Sequence, residues 1–261
     1  MRVFASLSAA SLALAAPAAA APRRVASLNL CTDELLLMLA EPRQIASVSF
    51  LAQQPAETPL WRQARRYKRN DGSLVAVAPL RPDLVLTMGG GGRDRARIAE
   101  RLRIRNLVLP YPQSIADIER GILSVASALG RTEAGRRAVA QIAALKRSAP
   151  ASRVDTIWLG GGGRSVAATG LAADWMALAG MRQRPLRGDR VSLEQLLAAP
   201  PALLLRSDYR AGQYSAEQRW LSHPLAARAK SARTLVTDGR RWTCMGPLMA
   251  GEILRLRKAA R

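Results

Sequence analysis

Two cysteines (Cys31 and Cys244), a single histidine (His223) and two glycine runs, each closed by an arginine, are the groups in this 261-residue chain from which chemistry could be assembled. A lone imidazole argues against a bare transition-metal site, which needs several imidazoles or a thiolate cluster. It also weakens a Ser-His or Cys-His nucleophile, because His223 sits in a Ser-His-Pro turn far in sequence from Cys31. The first run, Gly89–Gly92 with Arg93, follows an apolar segment and precedes a helical one, which is the order of a phosphate cradle. It lacks Gly-Lys-Ser/Thr and the G-x-G-x-x-G spacing, so neither a P-loop nor a dinucleotide fingerprint is present. The second run, Gly160–Gly163 with Arg164, also closes an apolar segment. Glycines there let backbone approach a ligand or a neighbouring lobe closely. These residues offer anion holding and close contact more than metal or nucleophilic catalysis.

Alternating strands and helices must position them. Arg24–Leu30 reads as a strand ending in a turn at Asn29, Cys31 and Thr32, and Asp33–Leu39 as a helix. Gln44–Ser49 is a second strand leading to Phe50, and Gln53–Gly72 a long loop with Trp61, Tyr67 and a basic cluster, Arg62, Arg65, Arg66, Lys68 and Arg69. Leu84–Met88 and Arg105–Leu109 are strands around a helix over Asp94–Leu102. In Ser114–Ser148, Ile115, Ile118, Ile122, Val125 and Leu129 recur at three- and four-residue steps, one helical face, and Ser114 with Asp117 makes a capping-box start. Thr132 is placed to cap a second helix with Val139, Ile142 and Leu145 on its face. That helix, roughly 17 residues at about 1.5 Å each, spans about 25 Å, enough to cross between two small lobes. Beyond it come a strand at Val154–Leu159, a helix at Asp174–Leu178, a loop at Ser207–Gln213 with Asp208 and Tyr209, and a helix near Ala216–Leu221. A strand at Thr234–Thr237, the segment Arg241–Pro247 and a closing helix, Leu248–Lys258, end the chain. Trp242 either faces a cleft or packs against that closing helix.

An internal repeat divides the chain. Ser73-Leu74 and Ser192-Leu193 each open a short helix, a proline follows nine residues after each serine (Pro82, Pro201), and a buried-type strand comes next. The expectation is an α/β protein of two Rossmann-like lobes, residues 22–113 and 150–261, joined by a rigid helical crossing, 114–149. The ligand cleft lies between them at the carboxyl ends of the strands.

Composition is globular, 49% hydrophobic and 23% charged, with a net charge of +21. Such a charge suits nucleic acid, an anionic membrane or an acidic ligand. Lysine occurs only at Lys68, Lys146, Lys230 and Lys258, and the arginines are spread along the chain, a distribution better explained by genome composition than by a polyanion footprint. Arg2, the apolar run Val3–Ala16 and the end Pro17-Ala18-Ala19-Ala20-Ala21 form a secretory signal peptide, cleaved after Ala20 or Ala21. No lipobox cysteine stands at that boundary. The expectation is an exported protein, free in a bacterial periplasm, with no nucleic-acid partner. In that oxidising compartment Cys31 and Cys244 either form one disulfide or remain two separate thiols.

The motifs RVASLNLCTDELLLMLAEPRQIASVS, SLVAVAPLRPDLVL, VSLEQLLAAPPALLL and RWTCMGP, in this order around a central helical crossing, resemble the cobalamin- and ferric-siderophore-binding proteins of ABC importers, the class III periplasmic binding proteins. The resemblance covers nearly the whole chain after the signal peptide. It implies a monomer that captures a bulky metal chelate, an iron chelate or corrinoid, and delivers it to membrane permease subunits, with no resident cofactor or metal ligand. By position, Phe50 matches a cleft aromatic of the family, and Trp242, Thr243 and Cys244 match a cleft loop of the second lobe. Topology adds Asn29, Cys31, Arg93, Arg164 and Tyr209 to the candidate ligand-binding set. Family members dock on the permease through one surface glutamate per lobe; Glu194 matches the second-lobe position, while the repeat puts Val75 in the first, with Asp71 nearby.

Two other classes compete. An exported enzyme would act on a phosphate or acyl substrate through the glycine runs and arginines, with Cys31 as nucleophile. A basic surface-binding module would hold partners by charge and release them at moderate salt.

Overall fold

Short apolar runs form parallel strands in two separate sheets of the computed structural model, which describes residues 20–89, 92–213, 216, 219, 224 and 233–260. Residues 1–19 of the expected signal peptide, His223 and most of the helix near Ala216–Leu221 lie outside the described residues. The first sheet contains β1 (Val25–Ser27), β2 (Ile45–Ser49), β3 (Lys68–Asn70), β4 (Leu84–Met88) and β5 (Arg105–Leu109), in the order β3-β2-β1-β4-β5. The second contains β6 (Val154–Leu159), β7 (Met181–Gln183), β8 (Leu203–Ser207) and β9 (Arg233–Thr237), in the order β7-β6-β8-β9. Every pairing is parallel, so each strand returns through a crossover and both sheet faces are covered. The strand order reverses between β1 and β4 in the first sheet and between β6 and β8 in the second. Crevices for ligands open at such points.

Among the described residues the named helices are α1 (Leu30–Leu39), α2 (Trp61–Ala64), α3 (Leu74–Val77), α4 (Gly92–Arg101), α5 (Ile115–Ala128), α6 (Thr132–Arg147), α7 (Leu171–Leu178), α8 (Leu193–Ala198), α9 (Arg241–Cys244) and α10 (Met249–Ala260). The repeat read from the sequence maps onto equivalent places. Ser73 Oγ accepts from Ala76 N (3.1 Å) at the start of α3, Ser192 Oγ accepts from Gln195 N (3.2 Å) at the start of α8, and the following strands β4 and β8 lie beside the first strand of their sheets.

The crossing is two helices. In α5, Ile115, Ile118, Ile122 and Val125 are buried, and Leu129 behind it as well. Ser114 Oγ accepts from Asp117 N (3.2 Å) while Asp117 Oδ2 accepts from Ser114 N (2.9 Å), a reciprocal cap. Thr132 does not cap α6: it lies inside the helix, and Arg131 holds the N-cap position with its side chain bonded to Glu41 instead. The 16 residues of α6 run to the second lobe, where Arg257 donates to Leu145 O (2.7 Å) and Ser148 Oγ (2.8 Å). One apolar cluster extends from Leu36 and Leu84 through Ile122 and Ile142 to Trp175 and Ile253, so the crossing is part of the core of both lobes.

Besides the Thr132 cap, four elements differ from the sequence expectation. β1 stops at Ser27, because Asn29 caps a helix that starts at Leu30 and takes in Cys31 and Thr32. The long loop contains α2 and β3, whose Lys-Arg-Asn composition hides an edge strand. Met181–Gln183 is a further edge strand. The segment with Trp242 and Thr243 is helical, as α9. Among the described residues, no helix is long and apolar enough to cross a membrane.

Candidate functional site

The loops at the carboxyl ends of the two sheets meet each other. Cys31, in the first turn of α1 behind β1, forms a disulfide with Cys244 at the end of α9 behind β9. This answers the question the sequence left open and removes both thiols from nucleophilic or metal chemistry. Beside it, the segment after β2 reaches across. Tyr209, behind β8, donates its hydroxyl to Glu57 Oε2 (2.9 Å), Arg210 pairs with Glu57 Oε1, and Arg240 donates to Pro55 O (3.1 Å). Glu57 is buried, so its charge is supported by these second-lobe donors. Burial, then the bond to Glu57, pushes the Tyr209 hydroxyl above its ordinary pKa. The loops behind β8 and β9 touch at Gly239, where a Cβ would stand 2.1 Å from Ser207 Oγ and 2.5 Å from Tyr209 Cβ; only glycine fits.

Two neighbouring carboxyls on α1 lie behind this contact. Asp33 accepts from Ser49 N (3.0 Å) and Ser49 Oγ, and burial pushes its pKa up to about 7 against those bonds. Glu34 accepts from Thr58 Oγ1 (2.7 Å), while its other oxygen is buried without a hydrogen-bond partner; burial pushes it, too, up to about 7. Thr58 in turn braces the segment that carries Glu57.

Two hollows open at the carboxyl ends of the first sheet's strands. One of about 420 Å³ is lined by Phe50, Arg69, Asn70, Asp71 and Ala76 at the carboxyl edge of β2 and β3. The other, about 290 Å³, is mostly apolar and has the disulfide in its wall, with Met88, Pro110, Ile118 and Pro247 around it. Tyr111 stands near it, 67% exposed, its ring over Gly89; at φ +71°, a Cβ on Gly89 would stand 2.2 Å from that ring.

The candidate residues do not form one surface. Phe50 is 43% exposed in its hollow, as a ligand contact must be. Cys31 and Cys244 line the apolar hollow as a disulfide. Tyr209 reaches the junction but spends its hydroxyl on Glu57. Asn29 is a helix cap: its Oδ1 accepts from Thr32 N (3.1 Å) and its Nδ2 donates to Met88 O (3.4 Å), locking β1 to β4 at the switch point. Trp242 is corrected from cleft surface to core. It is 5% exposed, donates to Thr237 Oγ1 (2.7 Å) and lies 6.0 Å from Trp158, ring centre to ring centre. Thr243 is exposed on α9, Arg164 is exposed beyond the second glycine run, and Arg93 lies in the first turn of α4. Glu194 is exposed at the start of α8, its carboxyl held below the usual range by the Ser192 side chain, and Val75 is 71% exposed on α3. Among the described residues, no group of three or more His, Cys, Asp or Glu side chains is placed to hold a metal ion.

Sequence reading missed Glu57 and Tyr111. The signal for Tyr111 was available: Pro110-Tyr111-Pro112 ends a strand at the same sheet edge as the other candidates. For Glu57 there was no local signal, because its partners are about 150 residues away.

Comparison with known proteins agrees with this architecture. The heme-binding protein RhuT from Roseiflexus sp. RS-1 superposes with a TM-score of 0.69 at 22% identity, over 91% of this chain and 97% of that one. The molybdate-binding protein MolA of Haemophilus influenzae gives 0.68 at 19%, over 91% and 86%. The vitamin B12-binding protein BtuF of Vibrio cholerae gives 0.61 at 15%, over 91% and 96%. At these identities the likeness is one of fold. No curated protein matches the chain in sequence. The sequence pattern of the family described as "Periplasmic binding protein" matches residues 25–234. With two parallel-sheet lobes, a helical crossing and that match, the chain belongs to the periplasmic binding protein family.

Proposed function

We propose that this protein is the periplasmic solute-binding component of an ABC importer, capturing a bulky metal chelate, a ferric siderophore or a cobalamin-like corrinoid, and delivering it to an inner-membrane permease. The observation that supports this most is Phe50. An aromatic ring 43% exposed at a strand end, in a hollow that also holds Arg69, offers the apolar face and the cation that a large anionic chelate requires. A preformed chelate brings its metal already coordinated, so the site needs no metal ligands of its own. Among the similar structures, the named ligands heme and vitamin B12 are bulky metal chelates, whereas molybdate is a small oxyanion, so these names support the cargo class in part and do not select within it. In this reading Glu194 is the second-lobe contact to the permease, and with Val75 at the first-lobe position docking is either one-sided or uses Asp71. The enzyme alternative loses its nucleophile candidate, since Cys31 is bonded to Cys244.

The test is thermal unfolding of the mature protein against cyanocobalamin, heme and ferric catecholate, hydroxamate and citrate complexes, with the iron-free chelators as controls. A ligand at about 100 times its dissociation constant adds about 2.7 kcal/mol. A shift with one chelate and none with its metal-free form establishes the cargo. Silence across the whole panel overturns this reading.

A further inference from the structure

The N-terminal ends of β1, β2 and β3 form a concavity of about 300 Å³ at the edge of the first sheet opposite the loops described above. Five of its nine lining residues are cations: Arg23, Arg24, Arg43, Arg66 and Lys68. Across the chain, cations are 40 of 261 residues, so a scattered basic composition does not account for this density. The five come from three separate stretches of sequence and converge only in the fold. Arg43 pairs with Glu41 (2.7 Å). Among the described residues, the side chains of Arg23, Arg24, Arg66 and Lys68 enter no ion pair, and no carboxylate lines the concavity.

We propose that this concavity is a binding site for phosphate-bearing anions, either a soluble oligophosphate or a phospholipid headgroup. Guanidinium forks match phosphate oxygens in bidentate geometry, and several on one wall suit more than one phosphate. The frame is held in place before any ligand arrives. Asp83 accepts from the backbone N–H groups of Arg23 (2.7 Å) and Arg24 (3.0 Å), so its charge is turned to the main chain. Gln53 Nε2 donates to the carbonyls of Ala64 (3.2 Å) and Tyr67 (2.9 Å), fixing the turn that presents Arg66 and Lys68. Ile45 and Tyr67 line the concavity between the cations. Unoccupied, the site places like charges together, and a multivalent anion relieves that repulsion. The site is independent of the chelate cleft and of the cargo proposed there.

The test uses the mature protein at about 0.15 M salt, where general surface attraction is screened. Pyrophosphate binding is titrated by calorimetry, and co-sedimentation is measured with phosphatidylglycerol vesicles and with phosphatidylcholine vesicles. The pocket variant is R24Q/R66Q/K68Q. The control, R137Q/R147Q/R153Q, removes equal charge from exposed positions on and just after α6. All six side chains are exposed, so folding is retained, and a melting curve verifies it. The expected result is binding of pyrophosphate or of anionic vesicles by the wild type and the control, weakened at least about tenfold in the pocket variant. Pyrophosphate binding identifies a soluble ligand; vesicle binding without it identifies a headgroup. Equal losses in both variants, or no binding of either probe by the wild type, overturn the proposal.

Discussion

Cys31 and Cys244 are 213 residues apart in the chain, yet their Cα atoms are 5.3 Å apart and their sulfurs are bonded. The bond joins the first turn of α1, at the switch point of the first sheet, to α9, behind the last strand of the second. Any separation of the two lobes must therefore pivot about this bond and about the α5–α6 crossing. Tyr209, Arg210 and Arg240 add non-covalent links to the segment around Glu57.

Removing the disulfide should be costly, because it closes a loop of nearly the whole folded chain. Loop-closure entropy gives about 5 kcal/mol for that length, and measured losses run at about 2–5 kcal/mol. C31S/C244S is expected to unfold at lower denaturant by an amount in this range while keeping its far-UV spectrum. A loss below about 1 kcal/mol would mean that the remaining contacts confine the lobes unaided.

The contact between Tyr209 and Glu57 gives a second, smaller prediction. Y209F removes one donor from a buried carboxylate, and E57Q removes its charge. Each is expected to cost about 1–3 kcal/mol in urea unfolding. The double variant should cost less than the sum, with a coupling of about 0.5–2 kcal/mol. Strict additivity would show that the hydroxyl and the carboxylate do not stabilise one another in solution.

Much of the fold was legible because it was written in local patterns. The apolar stripe of α5, the Ser114–Asp117 cap and the Ser-Leu openings of α3 and α8 are short-range signals, and each formed as read. The edge strands β3 and β7 were not, because edge positions tolerate charge and three residues show no alternation. The position of Phe50 was legible, an aromatic directly behind a strand, and it stands exposed there. Trp242 turned out to be core, because its hydrogen bond to Thr237 and its packing in the apolar cluster are tertiary contacts that the strand read at Thr234–Thr237 does not announce, and Asn29 turned out to be a cap, which looks like a ligand contact in sequence. The Cys31–Cys244 bond depends on how two sheets face each other, and no window of sequence contains that.

The pH dependence of stability follows from Asp33 and Glu34. Both have folded pKa values raised to about 7, from 3.8 and 4.5. A raised carboxyl binds its proton on folding, so the stability it contributes is complete below the unfolded pKa and is lost as pH rises through the folded one. Asp238 and Glu252 act the other way. Burial would raise them, but bonds from Arg240 to Asp238 and from Arg255 to Glu252 hold them low, so their contribution disappears only in stronger acid. The protein should therefore melt higher at about pH 5 than at about pH 7.5. D33N, which mimics the protonated group, should flatten that slope. A higher melting temperature at the alkaline end, or an unchanged slope in D33N, would refute the assignment.

Phe50 and Trp242 are two of the three aromatics, with Tyr209, in the candidate ligand-binding set, and the structure separates their surroundings. Trp242 is core, so W242A should cost about 3–5 kcal/mol through the cavity it leaves. W242F should cost about 1 kcal/mol, the hydrogen bond to Thr237, whose hydroxyl keeps its bond to Glu252 (2.6 Å). Once folded, neither should change the affinity for the chelate found by thermal screening. Phe50 is 43% exposed and contributes little to packing, so F50A should stay within about 1 kcal/mol of the wild type in denaturant. Its effect should fall on capture, because the ring loses the apolar area it would cover on a bound chelate, weakening affinity at least about tenfold. The reverse pattern, an F50A protein that binds normally and a folded W242F that does not, would place the ligand on the second lobe near α9 and remove the hollow beside β2 and β3 from the site.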